Sequence, residues 1–202
     1  MKSNYVIAIP SHKRSTIINN KVLKFLESHS IDKKLIYIFV AEEEIEEYKL
    51  CCPKYNIVKG AKGIGKNRMA ISKYFVDNQF IVSIDDDVTD LIESDKSMID
   101  LNSFINQTFH LLEENNLTLA GVYPSRNPFF CKDTITTDLR FIIGQFKCFI
   151  NKKHLEKRDY ELLEDYESTL RHYFNSGGVL RYNYILIKAD YNKLSGGLKE
   201  YR

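Results

Sequence analysis

The chain has 202 residues, 44% hydrophobic and 28% charged, with a formal net charge of +2. This is enough for one sizeable core, and the near-neutral balance neither demands a nucleic-acid partner nor excludes a local basic patch. No stretch is long enough to span a membrane.

The first half alternates strands and helices. Residues 4–10 form a compact apolar strand, followed by a helix over 15–30 with Ser15 or Thr16 as N-cap and Ile18, Val22, Leu23, Phe25 and Leu26 inward. A buried strand over 34–41, a short helix over 43–51 and a short strand over 55–60 come next. A helix over 64–78 then leads into an apolar strand over 79–85. Strands separated by helices predict a parallel α/β sheet covered on both faces. Ligands of such sheets bind at the carboxyl ends of the strands, which puts IPSHKR, VAEEE, KGAKGIGKNR and IDDD on one rim.

The second half is less regular. It reads as a helix over 97–116, a strand over 117–124, a loop or hairpin over 129–138 and a long strand over 139–151. A helix over 162–175, stopped by Gly177 and Gly178, precedes a strand over 179–191. With no repeat or Pro-rich linker, residues 1–202 form one domain. Cys51, Cys52, Cys131 and Cys148 make no C-x-x-C pair and have no His at a zinc-like offset, so they read as reduced thiols of a cytoplasmic protein. The N-terminal apolar run has strand length and lacks a cleavage site, so it is not a signal peptide.

Three adjacent acids, Asp85, Asp86 and Asp87, end the strand FIVSI. A magnesium or manganese ion would offset their repulsion, whereas an acidic turn capping the next element is the plainer account. In an extended segment Asp85 and Asp87 share one side and Asp86 takes the other. The stretch GAKGIGKN lies one letter from the phosphate loop G-x-x-x-x-G-K-[ST], with Asn67 where a hydroxyl is required. Gly63, Gly65, Lys66 and Arg68 could bring backbone and cations to a diphosphate at a helix start, or form an ordinary turn. Glu164 and Asp165 open a helix, where a carboxylate is either a general base or a favourable partner of the helix N-terminus. His12, Lys13 and Arg14 touch a base or phosphate, or form a solvated loop. Tyr123, Phe129, Phe130 and Tyr184 are candidates for stacking on an acceptor or a nucleobase.

The order of AIPSHKRS, IFVAEEEIEEY, GIGKNRMAI, SIDDDV, LLED and the terminal GGLK resembles GT-A fold glycosyltransferases, with closest similarity to the TET/JBP-associated, DNA base-modifying group. The resemblance spans nearly the whole chain. It implies a GT-A-like, Rossmann-like and mostly parallel central sheet flanked by helices, with a mixed C-terminal half. Residues 1–90 would be the nucleotide-sugar-binding half and 91–202 the acceptor-binding half. It also implies transfer of a sugar from a nucleotide donor such as UDP-glucose to a hydroxyl, with Mn2+ or Mg2+ as cofactor. Asp85 and Asp87 would hold the metal-diphosphate and ribose. Pro10, His12, Arg14, Glu42, Gly65, Lys66, Arg68 and Asp86 would complete the nucleotide-sugar site, and Gly196, Gly197 and Lys199 would close over the diphosphate. Asp165, or else Glu164, would deprotonate the acceptor for an inverting displacement. The implied acceptor is a hydroxymethyl-cytosine or -uracil in DNA, as in phage DNA modification, which places the enzyme in the host cytoplasm if a phage encodes it. Lys132, Arg140, Lys147, Lys152, Lys153 and Arg158 are candidate DNA phosphate contacts. The sequence departs from many relatives in having no His after residue 172, so a late histidine metal ligand is missing. Other readings are a protein or glycan acceptor, a nucleotidyltransferase or triphosphatase using the glycine-lysine loop, and a non-enzymatic nucleotide-binding module.

Overall fold

The computed structural model describes residues 4–95, 97 and 99–189. Gly196, Gly197 and Lys199 lie outside the described residues.

Five helices and nine strands build the described residues. In chain order they are β1 (Tyr5–Pro10), α1 (Val22–Ser28), β2 (Ile36–Val40), α2 (Ile45–Cys51), β3 (Asn56–Lys59), α3 (Ile64–Tyr74) and β4 (Phe80–Ile84). Then come β5 (Val88–Glu93), α4 (Leu101–Glu114), β6 (Leu119–Tyr123), β7 (Ile135–Thr136), β8 (Phe146–Ile150), α5 (Glu164–Ser176) and β9 (Leu180–Ala189). One sheet runs β3-β2-β1-β4-β8-β6-β9-β5, with β7 paired to β9. β1 to β4 pair in parallel, β8 lies antiparallel between β4 and β6, and β6 and β9 are again parallel.

Two apolar layers cover the sheet. On one face Phe104, Ile105, Phe109 and Leu112 of α4 join a core with Ile7, Ile9, Val82 and Phe146. Phe109 stacks on Phe80 with centroids 4.6 Å apart. On the other face Ile71 and Phe75 pack with Phe39, Ile81 and Phe149. Truncating such a buried phenylalanine to alanine typically costs about 3–5 kcal/mol.

Three local expectations give way. The helix over 15–30 is broken: a 3-10 turn at Ile18–Asn20 precedes the short α1. The Asn19 side chain donates to the Cys51 carbonyl there, the local competition that makes Asn a weak helix former. The long strand over 139–151 shrinks to β8, because residues 142–144 give their backbone groups to side chains. Ile142 N–H donates to Thr169, Gly144 N–H donates to Asp165, and the Gly144 carbonyl accepts from Arg68. Finally, β5 follows the acids directly. Asp85 to Val88 form a turn closed by Val88 N–H donating to the Asp85 carbonyl at 3.3 Å. The alternation expected of an extended segment therefore stops at Ile84.

Chain direction alone then gathers one rim. The segments after β1, β2, β3, β4 and β6 and those before β5 and β8 all lie at the same end of the sheet. Strand order reverses between β1 and β4, the switch point at which open α/β sheets leave a crevice.

Candidate functional site

A cleft of about 1000 Å³ opens at that switch point. Pro10, Ser11, His12 and Arg14 line it from β1, Gly63, Ile64, Asn67 and Arg68 from α3, and Asp85, Asp86 and Asp87 from the turn after β4. Residues 124–127, 143–145 and 161–166 form the opposite wall.

Each acid has an arginine beside it. Arg14 Nη1 pairs with Asp86 Oδ1 and lies 3.2 Å from Asp87 Oδ2. Ser11 donates its hydroxyl to the second Asp86 oxygen and also bonds Tyr48, whose hydroxyl accepts from Arg14 N–H. Asp86 and Asp87 thus share one partner, contrary to the alternating arrangement, because both sit in the turn. Burial pushes all three carboxyls above the usual aspartate range, Asp85 to about 6. Asp87 Oδ1 is buried and has no hydrogen-bond partner among the described residues.

Arg68 is the hub of the far side. It is 3% exposed, and its guanidinium reaches Asp85 at 2.9 Å, Glu164 at 2.6 Å, the Ser83 hydroxyl at 2.9 Å and the Gly144 carbonyl at 2.9 Å. Ion pairs continue inward through Glu164 and Arg158 to Glu156, and hydrogen bonds carry the network on to His172 and Thr118. The Lys147 ammonium lies 3.2 Å from the Ser168 hydroxyl in the same buried region. Burial brings Lys147 down to about 8 and lowers His172. Lys147 and Arg158 are therefore interior groups, and the expectation that they touch DNA phosphates is corrected. Lys152 bonds Asn78 and Lys153 N–H bonds Asp77, at the end of the sheet opposite the cleft. Lys132 and Arg140 follow the exposed loop beyond β6, with Arg140 paired to Asp138.

The adjacent carboxylates at the start of α5 differ sharply. Glu164 is held by Arg68 and Arg158; burial raises its pKa, but the surrounding cations outweigh burial and the net shift is downward. Asp165 accepts only main-chain donors, from Gly144 at 3.4 Å and from Tyr166 at 3.0 Å, among its described hydrogen bonds. Burial, then the neighbouring Glu164, push its carboxyl up. Asp165 thus has the environment of a proton acceptor, and Glu164 that of a structural anion. Leu163 precedes both in a left-handed conformation at φ 63°, a strained position for a leucine.

The glycine-lysine loop works through other residues than its letters suggest. Asn67 is buried; its amide donates to the Phe39 carbonyl and its oxygen accepts from Ala61 N–H, stapling the loop to the end of β2. A side chain on Gly60 would meet the Asn67 oxygen at 2.1 Å, so the two residues are a matched pair. Lys66 is exposed and 3.7 Å from Glu161, and neither it nor Gly65 lines the cleft. A Cβ on Gly65 would instead sit 3.0 Å from the Tyr160 carbonyl. Glu42 is also outside, exposed and paired with Lys59 at 2.6 Å. From the same acidic run it is Glu44 that reaches the rim, 2.6 Å from His12 Nδ1 and accepting from Lys13 N–H. Glu44 and Tyr48, four residues apart on one helical face, are the missed residues that the i, i+4 spacing signals. Ser11, Ser83 and Gly144 carry no comparable signal.

The site can also be tested for a divalent cation. Among the described residues no three His, Cys, Asp or Glu side chains converge as a ready cage. Magnesium commonly uses one or two carboxylates and takes its remaining ligands from water and substrate phosphate. Asp85 and the partnerless oxygen of Asp87 fit that smaller role.

No known family profile matches the chain, and no curated protein matches its sequence. Solved structures match its shape. S. aureus TarS (residues 1–349) superposes with a TM-score of 0.54 at 12% identity, over 90% of this chain and 59% of that one. A mycobacterial protein gives 0.57 at 11% identity, over 98% and 69%. The inositol-1-phosphate CTP transferase from T. maritima gives 0.53 at 10% identity, over 100% and 94%. The chain thus spans about three fifths of the TarS fragment and nearly all of the CTP transferase. Among the described residues no helix is long and apolar enough to cross a membrane. What these likenesses establish is the fold: a GT-A-like, Rossmann-like α/β sheet, mostly parallel and flanked by helices.

Proposed function

We propose that the protein is a nucleotide-sugar-dependent glycosyltransferase. The carrying observation is the division of labour between Glu164 and Asp165. One is locked by two arginines, while the other lines the same cleft as the three acids with a raised pKa and no cationic hydrogen-bond partner. Asp165 is then the general base that takes the proton of an acceptor hydroxyl as the sugar is displaced from its diphosphate, with inversion. Pro10, His12 and Arg14 bound the nucleotide side, and Arg68 holds Asp85 in place. Asp87 and Asp85 would hold Mn2+ or Mg2+, which when bound neutralises charge on the diphosphate leaving group.

For the acceptor we favour a hydroxymethyl-pyrimidine in DNA, as the resemblance to TET/JBP-associated enzymes implies. Exposed Phe129 and Phe130 follow the cleft-lining residues 124–127, and the Tyr166 ring lies stacked on Phe141 beside Asp165. Such rings suit a base presented out of the stack, and Lys132 and Arg140 are nearby cations. A screen of UDP- and other nucleotide-sugars against hydroxymethylated DNA, plain DNA, protein and free glycans, read by mass spectrometry with and without Mn2+, tests this. Mass addition to hydroxymethylated DNA alone is the expected result. Sugar addition to protein or glycan alone overturns the DNA acceptor.

The second reading is a nucleotidyltransferase, favoured by the end-to-end shape match with the CTP transferase. It predicts release of pyrophosphate from CTP or another triphosphate with a sugar phosphate, and no use of nucleotide-sugars. The placement of Lys66 outside the cleft speaks against a triphosphatase built on the glycine-lysine loop.

A further inference from the structure

We infer that Arg14 makes cation binding conditional on the nucleotide diphosphate. This rests on the nucleotide-sugar reading and adds to it a rule for how the site fills.

Across the five side chains Asp85, Asp86, Asp87, Arg14 and Arg68, the charges sum to a single negative one. Both arginines are buried, and each is tied to more than one partner. Arg14 cannot leave cheaply. Its departure strips Asp86 of its counter-charge in a buried position, which is strongly unfavourable. It therefore stays, bonded to one oxygen of Asp87 while the other oxygen has no partner.

A divalent cation approaching Asp87 meets a carboxylate already shared with a guanidinium. The like charge of Arg14 opposes it, and no third carboxylate, histidine or cysteine among the described residues completes a cage. A nucleotide diphosphate supplies what is missing, both negative charge and oxygen ligands. Cation and nucleotide must then raise each other's affinity by the same factor, since coupling between two sites is reciprocal. Arg14 sets the size of that factor by suppressing the binding of the cation alone. Asp86, which has no other evident use at the cleft, anchors Arg14 with the help of Ser11 and Tyr48.

The test is Mn2+ binding followed by electron paramagnetic resonance of the free ion, without any turnover. In the full chain Mn2+ alone should bind weakly, and UDP should tighten it by on the order of tenfold or more, the effect expected of one nearby unit charge. Arg14→Gln should bind Mn2+ alone about tenfold more tightly than the unmutated protein and gain less from UDP. Arg14→Lys keeps the charge but shortens the side chain, loosening the single guanidinium nitrogen's hold on both Asp86 and Asp87, should show a smaller gain, and serves if the Gln variant does not fold. The inference is overturned if neither variant binds Mn2+ alone more tightly than the parent. It is also overturned if no form binds Mn2+ even with UDP. In that case UDP retention measured by calorimetry shows whether the nucleotide-sugar reading survives on its own.

Discussion

The two walls of the cleft are built on opposite plans. One wall, from β1, α3 and the turn after β4, is the donor wall of the proposed function; it consists of buried or part-buried charges that already have partners: Arg14 with Asp86 and Asp87, and Arg68 with Asp85 and Glu164. The other wall, the acceptor wall of the proposed function, carries the largely exposed Leu162, Leu163 and Tyr166 beside the carboxylates Glu164 and Asp165, and the exposed Phe129 and Phe130 follow its residues 124–127 in the chain. A wall of fixed, compensated ions is preorganised for a charged ligand and gains little by moving. A wall of exposed apolar groups gains its free energy only when something covers it. On the proposed function, the donor site would be defined before substrate arrives, and the acceptor site would become complete only with the acceptor in place.

Breaking that contrast at the point where the walls meet should have the largest effect. Asp165→Asn should lower kcat by about 10²–10⁴-fold while leaving UDP affinity unchanged, if Asp165 is the base. In the unmutated protein kcat/KM should fall with acidity through a pKa above the usual aspartate range, because the raised carboxyl is the group that must be deprotonated. Near-normal transfer by the Asn variant removes Asp165 from the role. Glu164→Gln should differ in kind, since it frees Arg68 and Arg158 from an anion they share. Its signature is lost stability in urea, with any loss of rate following from misplacement of Asp85.

Next in size is the hub itself. Arg68→Met leaves Glu164 buried and Asp85 part-buried with reduced compensation and should destabilise the fold by about 3–5 kcal/mol, read from urea midpoints. An unchanged midpoint would show that the donor wall is not held together by its charges.

The buried end of the same network gives a pH-dependent effect. Burial lowers Lys147 from an ordinary 10.5 to about 8. Between those values the unfolded chain binds a proton that the folded chain has lost, so stability rises with pH in that window. Relative to Lys147→Met, the unmutated protein should gain on the order of 2 kcal/mol between about pH 8 and pH 10. Parallel stability curves for the two proteins would place Lys147 in contact with water.

Much of the donor wall was legible in the sequence, and for a physical reason. Parallel strands of continuous apolarity announce themselves, and chain direction then carries IPSHKR and IDDD to the same rim. The pairing of charges was not legible. Nothing local distinguishes Asp86, bound to Arg14 and Ser11, from Asp87, which keeps one oxygen unsatisfied. Helical spacing puts Lys66 and Arg68 on opposite faces of α3, but nothing local shows which of the two points in. Lys147 and Arg158 read as surface cations because a cationic letter does not show that a carboxylate such as Glu156 or Glu164 will fold back beside it and allow it to be buried. Residues 139–145 read as strand from their apolarity, although their backbone groups bond Asp165, Thr169 and Arg68, partners outside any strand pattern.

The acceptor wall yields the smallest effect and the most selective one. Tyr166 stacks on Phe141 with ring centroids 4.1 Å apart and 19° between planes, and Tyr166 is still half open to solvent. Tyr166→Ala removes one ring of that platform but keeps the main-chain N–H that Asp165 accepts. Donor affinity and kcat should therefore stay near their parent values. The acceptor KM should rise about fivefold, the equivalent of about 1 kcal/mol for one stacking contact. Tyr166→Phe should restore it, since stacking and not the hydroxyl is at issue. If the alanine variant instead loses kcat with KM unchanged, Tyr166 acts through the placement of Asp165. The contrast between a preorganised donor wall and an acceptor wall completed by its ligand would then fail at the residue where it is most exposed.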